Sequence, residues 1–237
     1  MSLVNGDLIA DLEARNLIHD STDREHLRAQ VADGPTAIYY GCDPTADSLH
    51  VGNLIGLVVL RRFQDAGHRA IALAGGATGM VGDPGGRCEE RNLLDEDTLS
   101  HNVAKIKEQL GRIVDLADGQ RGVLVDNRDW THPITILEFL RDVGKHVTVN
   151  QMLARESIKV RIESEHGISF TEFTYMLLQA NDYLWLHDNM GCTIQVGGSD
   201  QWGNILSGVD LIRRKRQHHV HAFSWPLVLG SDGQKLG

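Results

Sequence analysis

Apolar residues recur at helical spacing over residues 7–17 and 22–33, which predicts two short amphipathic helices. Short apolar runs bounded by turn residues then predict strands at 36–41, 69–74, 122–126, 193–196 and 222–229. Helix-length patterns separate most of them, notably at 52–66, 97–116 and 199–216. Within the first of these, Leu54-Ile55-Gly56-Leu57-Val58-Val59-Leu60 is apolar on every side, the pattern expected of a buried helix. Strands alternating with helices imply a parallel sheet covered on both faces. Ligands of such sheets bind at the carboxyl ends of the strands, near the point where strand order reverses.

The expected class is therefore α/β: a Rossmann-like parallel-sheet nucleotide-binding domain with an inserted, mainly helical lobe. Residues 1–35 form N-terminal helices, and 36–126 the first half of the nucleotide-binding fold. Residues 127–192 are mostly helical and too long for a simple crossover, so they form the lobe, with Pro133 opening one helix. Residues 193–237 form the second half, and Ser231-Asp232-Gly233 is expected to make a hairpin turn.

Composition narrows the class further. A chain of 237 residues with 41% hydrophobic and 23% charged content can bury one sizeable core. Arg61-Arg62 directly follow the longest apolar run, so no stretch can span a bilayer, and no secretion signal opens the chain. Three scattered cysteines, Cys42, Cys88 and Cys192, argue for a reducing compartment, and a cytoplasmic setting is expected. The net charge of −9 is wrong for a nonspecific nucleic-acid binder, so any RNA contact needs a local patch. The dense one is Arg213-Arg214-Lys215-Arg216, at the end of a predicted helix where cations also suit the dipole. His218, His219 and His221 lack a Cys or carboxylate at ligand spacing and are expected to be surface histidines, not a metal site.

The string DPTADSLHVGN, residues 43–53, joins the apolar run Thr36-Ala37-Ile38-Tyr39-Tyr40 to the following helix. Thr45, His50 and Asn53 thus fall where a strand gives way to a helix N-terminus, whose free N–H groups and partial positive charge suit polyphosphate. Gly41 and Gly52 leave room for a ligand against the backbone. Three distant strings accompany this one: GGATGMVGDPGG at 75–86, SFTEFTYMLLQANDYL at 169–184 and QVGGSDQWGN at 195–204. Tyr175, Gln179 and Asp182 stand four and three residues apart, on one face of a helix flanked by Met176, Leu177 and Leu178. Such buried polar groups need partners.

In this order the four strings resemble the catalytic domain of bacterial-type tyrosyl-tRNA synthetases, class I aminoacyl-tRNA synthetases. The resemblance implies an ATP-dependent ligase that joins L-tyrosine to the α-phosphate of ATP, expels pyrophosphate, and passes tyrosine to tRNA(Tyr). It implies that Thr45 and His50 hold the γ-phosphate in the transition state. Asn53 stands where the HIGH signature ends in His, so the motif here is HVGN; its amide can still bond the ribose. Arg87 and Arg91 fall where the family uses mobile cations near the pyrophosphate, and Lys235, at the start of the second signature loop, is implied to be catalytic with them. Gly41, Asp43, Gly52, Gly197, Gly198 and Asp200 are implied ATP contacts, Asp200 accepting from a ribose hydroxyl or, failing that, capping a helix. Tyr39 and Asp182 are implied to bracket the phenolic hydroxyl of tyrosine. Tyr175, Gln179 and Asp83 are implied to hold its ammonium, and Gln201 to orient its carbonyl. Thr78, Asn127 and Gln195 complete that pocket, and Arg213 and Arg214 correspond to contacts with the tRNA acceptor stem.

The same resemblance implies a homodimer through 127–192, with Phe170 at the interface, and neither membrane nor DNA as partner. Mg²⁺ is expected to travel with ATP, with no protein-held metal. Two departures accompany Asn53: Tyr40 stands where related enzymes often place a small residue near the ribose, and Gly56 lacks a hydroxyl that some relatives carry. Gln234-Lys235-Leu236-Gly237 resembles the start of the second signature loop, KMSKS, in its K-x-G-K-S/T form; the transfer to tRNA needs parts C-terminal to it. A tryptophanyl-tRNA synthetase shares the fold and the GxDQ string, and a non-enzymatic RNA-binding splicing cofactor shares the ancestry. The Tyr39 and Asp182 pairing argues against the first, since an indole only donates. Intact Thr45, His50, Asp200 and Gln201 argue against the second.

Overall fold

The computed structural model describes residues 6–84, 94–117, 119–164, 167–233 and 235–236. Among them the chain runs through α1 (Leu8–Ala14), α2 (Arg24–Ala32), β1 (Ala37–Cys42), α3 (Val51–Asp65), β2 (Arg69–Ala74), α4 (Glu96–Leu110) and β3 (Gly122–Asp126). It continues through α5 (Arg128–Thr131), α6 (Ile136–Asp142), α7 (Val149–Leu153), α8 (Glu156–Ile162), α9 (Phe170–Met190), β4 (Cys192–Gly198), α10 (Trp202–Arg216) and β5 (His221–Trp225). The strands form one parallel sheet in the order β3-β2-β1-β4-β5. The expected α/β class with a parallel sheet is thus the observed one. Order reverses between β1 and β4, which leaves a crevice beyond their carboxyl ends.

The sheet is buried on both faces, as its near-continuous apolar strands require. Side chains alternate across β1, so neighbouring residues enter different cores. Ile38, Tyr40 and Cys42 pack with Leu57, Leu60 and Phe63 of α3. Tyr39 turns the other way, to Ala180, Tyr183 and Leu184 of α9. Two adjacent tyrosines are thereby sent to opposite sides of one strand.

Caps define several helix ends. Asp7, Asp95 and Ser169 each accept from the backbone N–H three residues on, that of Ala10, Thr98 and Glu172, in α1, α4 and α9. Gly191 ends α9 in the left-handed region at φ 66°. Thr135 caps α6 in a reciprocal box with Glu138, so Pro133 lies in the turn before that helix and does not open it. The expected helix 7–17 stops at Ala14, with Asn16 at φ 56°. The expected helix 97–116 runs from Glu96 and ends at Leu110. Strand 222–229 is shorter than expected, because Pro226 cannot donate to a ladder and β5 ends at Trp225. Leu229 instead bridges Lys235 in antiparallel sense across the turn at 231–233.

Helix α3 is not buried all round. Leu57, Val59 and Leu60 are sealed, but Val51, Leu54 and Val58 are 48%, 44% and 38% exposed. An apolar run reports hydrophobicity, not which face the sheet covers. Residues 127–192 hold α5 to α9. Of these, α9 packs against α10 and the sheet through Met176, Ala180, Tyr183 and Leu184, so this segment also supplies core to the sheet.

Candidate active site

One cleft opens at the carboxyl ends of β1 and β4. Around it stand residues from the loop after β1, the start of α3, the loop after β2, one face of α9, and the link from β4 to α10. Strands 150 residues apart in sequence meet here because β1 and β4 are paired, Tyr39 opposite Gln195 and Tyr40 opposite Val196.

At the buried inner end, Tyr39 of β1, Gln195 of β4 and Gln179 and Asp182 of α9 line the cleft. The Tyr39 hydroxyl is buried and has no hydrogen-bond partner, and the same holds for Gln179 Oε1 and Gln195 Oε1. Asp182 is buried but occupied: Asn127 Nδ2 donates to Oδ2 at 3.0 Å and Trp130 Nε1 to Oδ1 at 2.8 Å. Burial is the largest influence on this carboxyl and lifts it to about 7 against the pull of those two donors. Each of its oxygens keeps a lone pair for one further donor. Burial, with Asp182 nearby, also keeps the Tyr39 phenol well above its usual range, so it stays a neutral hydroxyl.

Asp43 links this pocket to the outer end. Its Oδ1 accepts from Thr78 Oγ1 at 2.6 Å and its Oδ2 from Tyr175 OH at 2.8 Å. Burial first, then Asp43, holds the Tyr175 phenol protonated and able to donate. Asn127 Nδ2 reaches Thr78 Oγ1 at 3.0 Å, which closes a chain from Asp43 to Asp182. Gly75 is required for that chain: a Cβ there would overlap Asp43 Oδ1 and lie 2.5 Å from Thr78 Oγ1. Asp83 accepts from Gln201 Nε2 and, at 3.4 Å, from Asn204 Nδ2.

The outer end is polar. His50 occupies the N-cap position of α3 without a side-chain capping bond, and it and Thr45 are exposed at the cleft mouth. Gly41, Gly52, Asn53, Gly197, Gly198 and Asp200 also line the cleft. Asp200 is no helix cap: it lies in a 3₁₀ turn before α10 and accepts from Lys235 Nζ at 2.7 Å.

Not every expected residue joins the cleft. Arg87, Arg91 and Cys88 lie outside the described residues. Arg213 and Arg214 are exposed at the far end of α10, about 20 Å along that helix from Gln201. Arg213 pairs with Asp210 at 2.8 Å and Arg214 donates to the His146 carbonyl. His218 and His219 are exposed as expected, but His221 is buried in β5, and that burial lowers its pKa. Trp130, which donates to Asp182, is not among the residues expected from the sequence. Its position three residues after Asn127, with an indole N–H that needs a partner once buried, was the available signal.

The model for tRNA synthetases class I (W and Y) matches residues 31–237. The tyrosine–tRNA ligase of Opitutus terrae is 57% identical over 231 residues, which cover 97% of this chain and 54% of that protein. That of Nocardia farcinica is 54% identical over 235 residues, 99% of this chain and 54% of that one. The chain thus spans about half the length of the curated relatives it matches. Among solved structures, a C-terminally truncated mitochondrial tyrosyl-tRNA synthetase of Aspergillus nidulans superimposes with a TM-score of 0.85 at 34% identity, over 97% of this chain and 71% of that one. The tyrosyl-tRNA synthetase of Archaeoglobus fulgidus complexed with L-tyrosine gives 0.74 at 19% identity, over 98% and 67%, a likeness of fold.

Proposed function

The chain belongs to the class I tRNA synthetases of the W and Y group, and from that premise we propose that it is the catalytic portion of a tyrosine–tRNA ligase. It joins L-tyrosine to ATP as tyrosyl-adenylate, releases pyrophosphate, and works in the cytoplasm with tRNA(Tyr) as acceptor. The observation that carries this reading is the set of buried, unpartnered atoms Tyr39 OH, Gln179 Oε1 and Gln195 Oε1 in one pocket beside Asp182. Leaving such groups unpaired is costly, so the pocket suits a ligand that brings polar atoms to them. Tyrosine does: its hydroxyl fits between Tyr39 and Asp182, and its ammonium suits Tyr175, Gln179 and Asp83. A tryptophan side chain, with one indole donor, leaves the Tyr39 hydroxyl without a group that can both accept and donate.

The tyrosine carboxylate is itself the nucleophile, so the protein's work is positioning and charge stabilisation. Gln201 orients the carboxyl group. Thr45 and His50, at the positive end of α3, stabilise charge on the departing phosphates. Gly197, Gly198 and Asp200 receive the nucleoside, whose hydroxyl displaces Lys235 from Asp200, and Lys235 with Arg87 and Arg91 then serves the pyrophosphate. Among the described residues no three His, Cys, Asp or Glu side chains gather as a metal site; Mg²⁺ comes with the nucleotide phosphates.

Two partners follow. Ile136, Leu137 and Phe170 are 68%, 75% and 73% exposed on α6 and α9, an apolar surface suited to a second copy through 127–192. The acceptor stem of tRNA suits the exposed Arg213 and Arg214. No described helix is long and apolar enough to cross a membrane. The test is exchange of labelled pyrophosphate into ATP with each of the twenty amino acids in turn. Stimulation by tyrosine above all others is the expected result, and stimulation best by tryptophan, or by none, overturns the reading.

A further inference from the structure

The loop between β1 and α3 carries both Thr45 and His50, and each of them is exposed. Helix α4 holds this loop by its main chain. Asn102 Nδ2 donates to the Pro44 carbonyl at 3.1 Å. Gln109 Oε1 accepts from the Leu49 N–H at 3.0 Å, and Gln109 Nε2 donates to the Asp47 carbonyl at 2.9 Å. The same Nε2 also reaches the Lys105 carbonyl, one turn back on α4, at 3.2 Å. The acceptor and both donors of the Gln109 amide are thereby used, which fixes its orientation. Asn102 and Gln109 stand seven residues apart, two turns, on the face of α4 that buries Leu99, Ile106 and Leu110. Amides on such an apolar stripe need partners, and here the partners are backbone groups of the loop. Of the loop residues they grip, Pro44 and Asp47 bracket Thr45, and Leu49 directly precedes His50.

We propose that Gln109, with Asn102, is a positioning residue for amino-acid activation: the two amides of α4 fix the loop so that Thr45 and His50 stand ready for the departing phosphates. The proposal rests on the reading of those two side chains as transition-state donors. Neither Asn102 nor Gln109 lines the cleft, so each acts through the loop. Donors on an exposed loop must be placed before charge develops on the phosphates. A misplacement of about 1 Å costs about 10²-fold in rate. Water satisfies exposed backbone groups nearly as well as an amide does, so what Gln109 adds is geometry more than stability.

The experiment measures tyrosine-dependent pyrophosphate exchange and, on the same samples, tyrosine affinity by equilibrium dialysis. The proteins are the parent, Gln109→Met, Asn102→Leu, His50→Ala, and His50→Ala combined with Gln109→Met. Gln109→Met keeps the length of the side chain and removes its bonds to the loop. It should lower kcat about 10- to 100-fold and leave the Kd for tyrosine unchanged, which also shows that the protein is folded and its inner pocket intact. Asn102→Leu should show the same split between kcat and Kd. In the His50→Ala background the fold loss caused by Gln109→Met should shrink, because one of the two groups it positions is gone. Three results would overturn the proposal: a parental kcat in Gln109→Met, an equal fold loss in both backgrounds, or a tyrosine affinity that falls as far as kcat. The last of these would make α4 a support for the whole cleft. Asn102→Leu at the parental rate would remove Asn102 from the unit. A parent that exchanges with no amino acid removes the reading of Thr45 and His50 and this proposal with it. An active parent unaffected by Gln109→Met removes this proposal alone.

Discussion

Asp182 already holds two donors, from Asn127 and Trp130, and its carboxyl still sits at about 7. From its ordinary 3.8 up to about 7 the folded protein binds a proton that the unfolded chain has released. This group therefore favours folding least at high pH: its contribution falls as pH rises through that window and is level above it. The stability of the parent minus that of Asp182→Asn, from urea unfolding between pH 4 and 8, should decline with pH and then flatten. A difference independent of pH would show that Asp182 does not titrate in that window. Selectivity is the second residue-scale consequence. Tyrosine and phenylalanine differ by one hydroxyl, and a site with buried partners for it can reject phenylalanine by roughly 10⁴–10⁵. Asp182→Ala should damage tyrosine use severely and Tyr39→Phe mildly, with a narrowed gap to phenylalanine in both. The ratio of kcat/KM for the two amino acids is the measurement, and an unchanged ratio in both variants would put the phenol elsewhere.

At the scale of elements, what positions the amino-acid pocket is the seating of α9 on the sheet. Its first turn is tied to α8 by a fully buried pair: Arg161 Nη2 donates to Glu172 Oε2 at 2.7 Å and Nη1 to Oε1 at 3.0 Å. Tyr175 follows Glu172 by three residues, so the pair and the pocket share that turn. Arg161→Met leaves a buried carboxylate without its cation and should cost about 3–5 kcal/mol. Replacing both partners, Arg161→Met with Glu172→Leu, should restore most of that, because the stranded charge is gone. Chemical denaturation of the parent and the two variants checks it; equal losses in single and double variants would mean that the pair matters for shape and not charge.

For the whole molecule, the cleft joins groups from both halves of the sheet and from α9, so a ligand there binds only the folded arrangement. At a concentration about 100 times its Kd, tyrosine should stabilise the protein by about 2.7 kcal/mol, which for a chain of this size raises Tm by roughly 5–10 °C. Phenylalanine and tryptophan at the same concentration should do far less. A thermal-shift series reads this directly, and an equal shift from all three would mean a pocket that senses apolar bulk alone. Sedimentation of the protein over a range of concentrations would test the second copy proposed for the exposed apolar surface of α6 and α9.

Much of this was legible in one dimension, for a physical reason: local signals depend on neighbours in the chain. Strand β2 runs 69–74 and β3 runs 122–126 as their apolar periods predict, and α9 shows the four-and-three spacing of Tyr175, Gln179 and Asp182. The helix start at His50 was visible because an apolar strand, a polar turn and a helical pattern follow one another within fifteen residues. Which residue faces which was decided by packing over long separations. Nothing near Asp182 in sequence announces Asn127 and Trp130, because β3 and α9 meet only through the folded sheet. The exposure of Leu54 and Val58, the burial of His221 and the bond from Tyr175 to Asp43 have the same origin. The sequence alone therefore determined the class of fold, the order of its elements and the chemical types around the cleft. Only the tertiary structure decided the pairings among them, since a hydrogen bond or a steric exclusion between distant residues, such as Tyr40 over Gly56, exists only when the chain has closed.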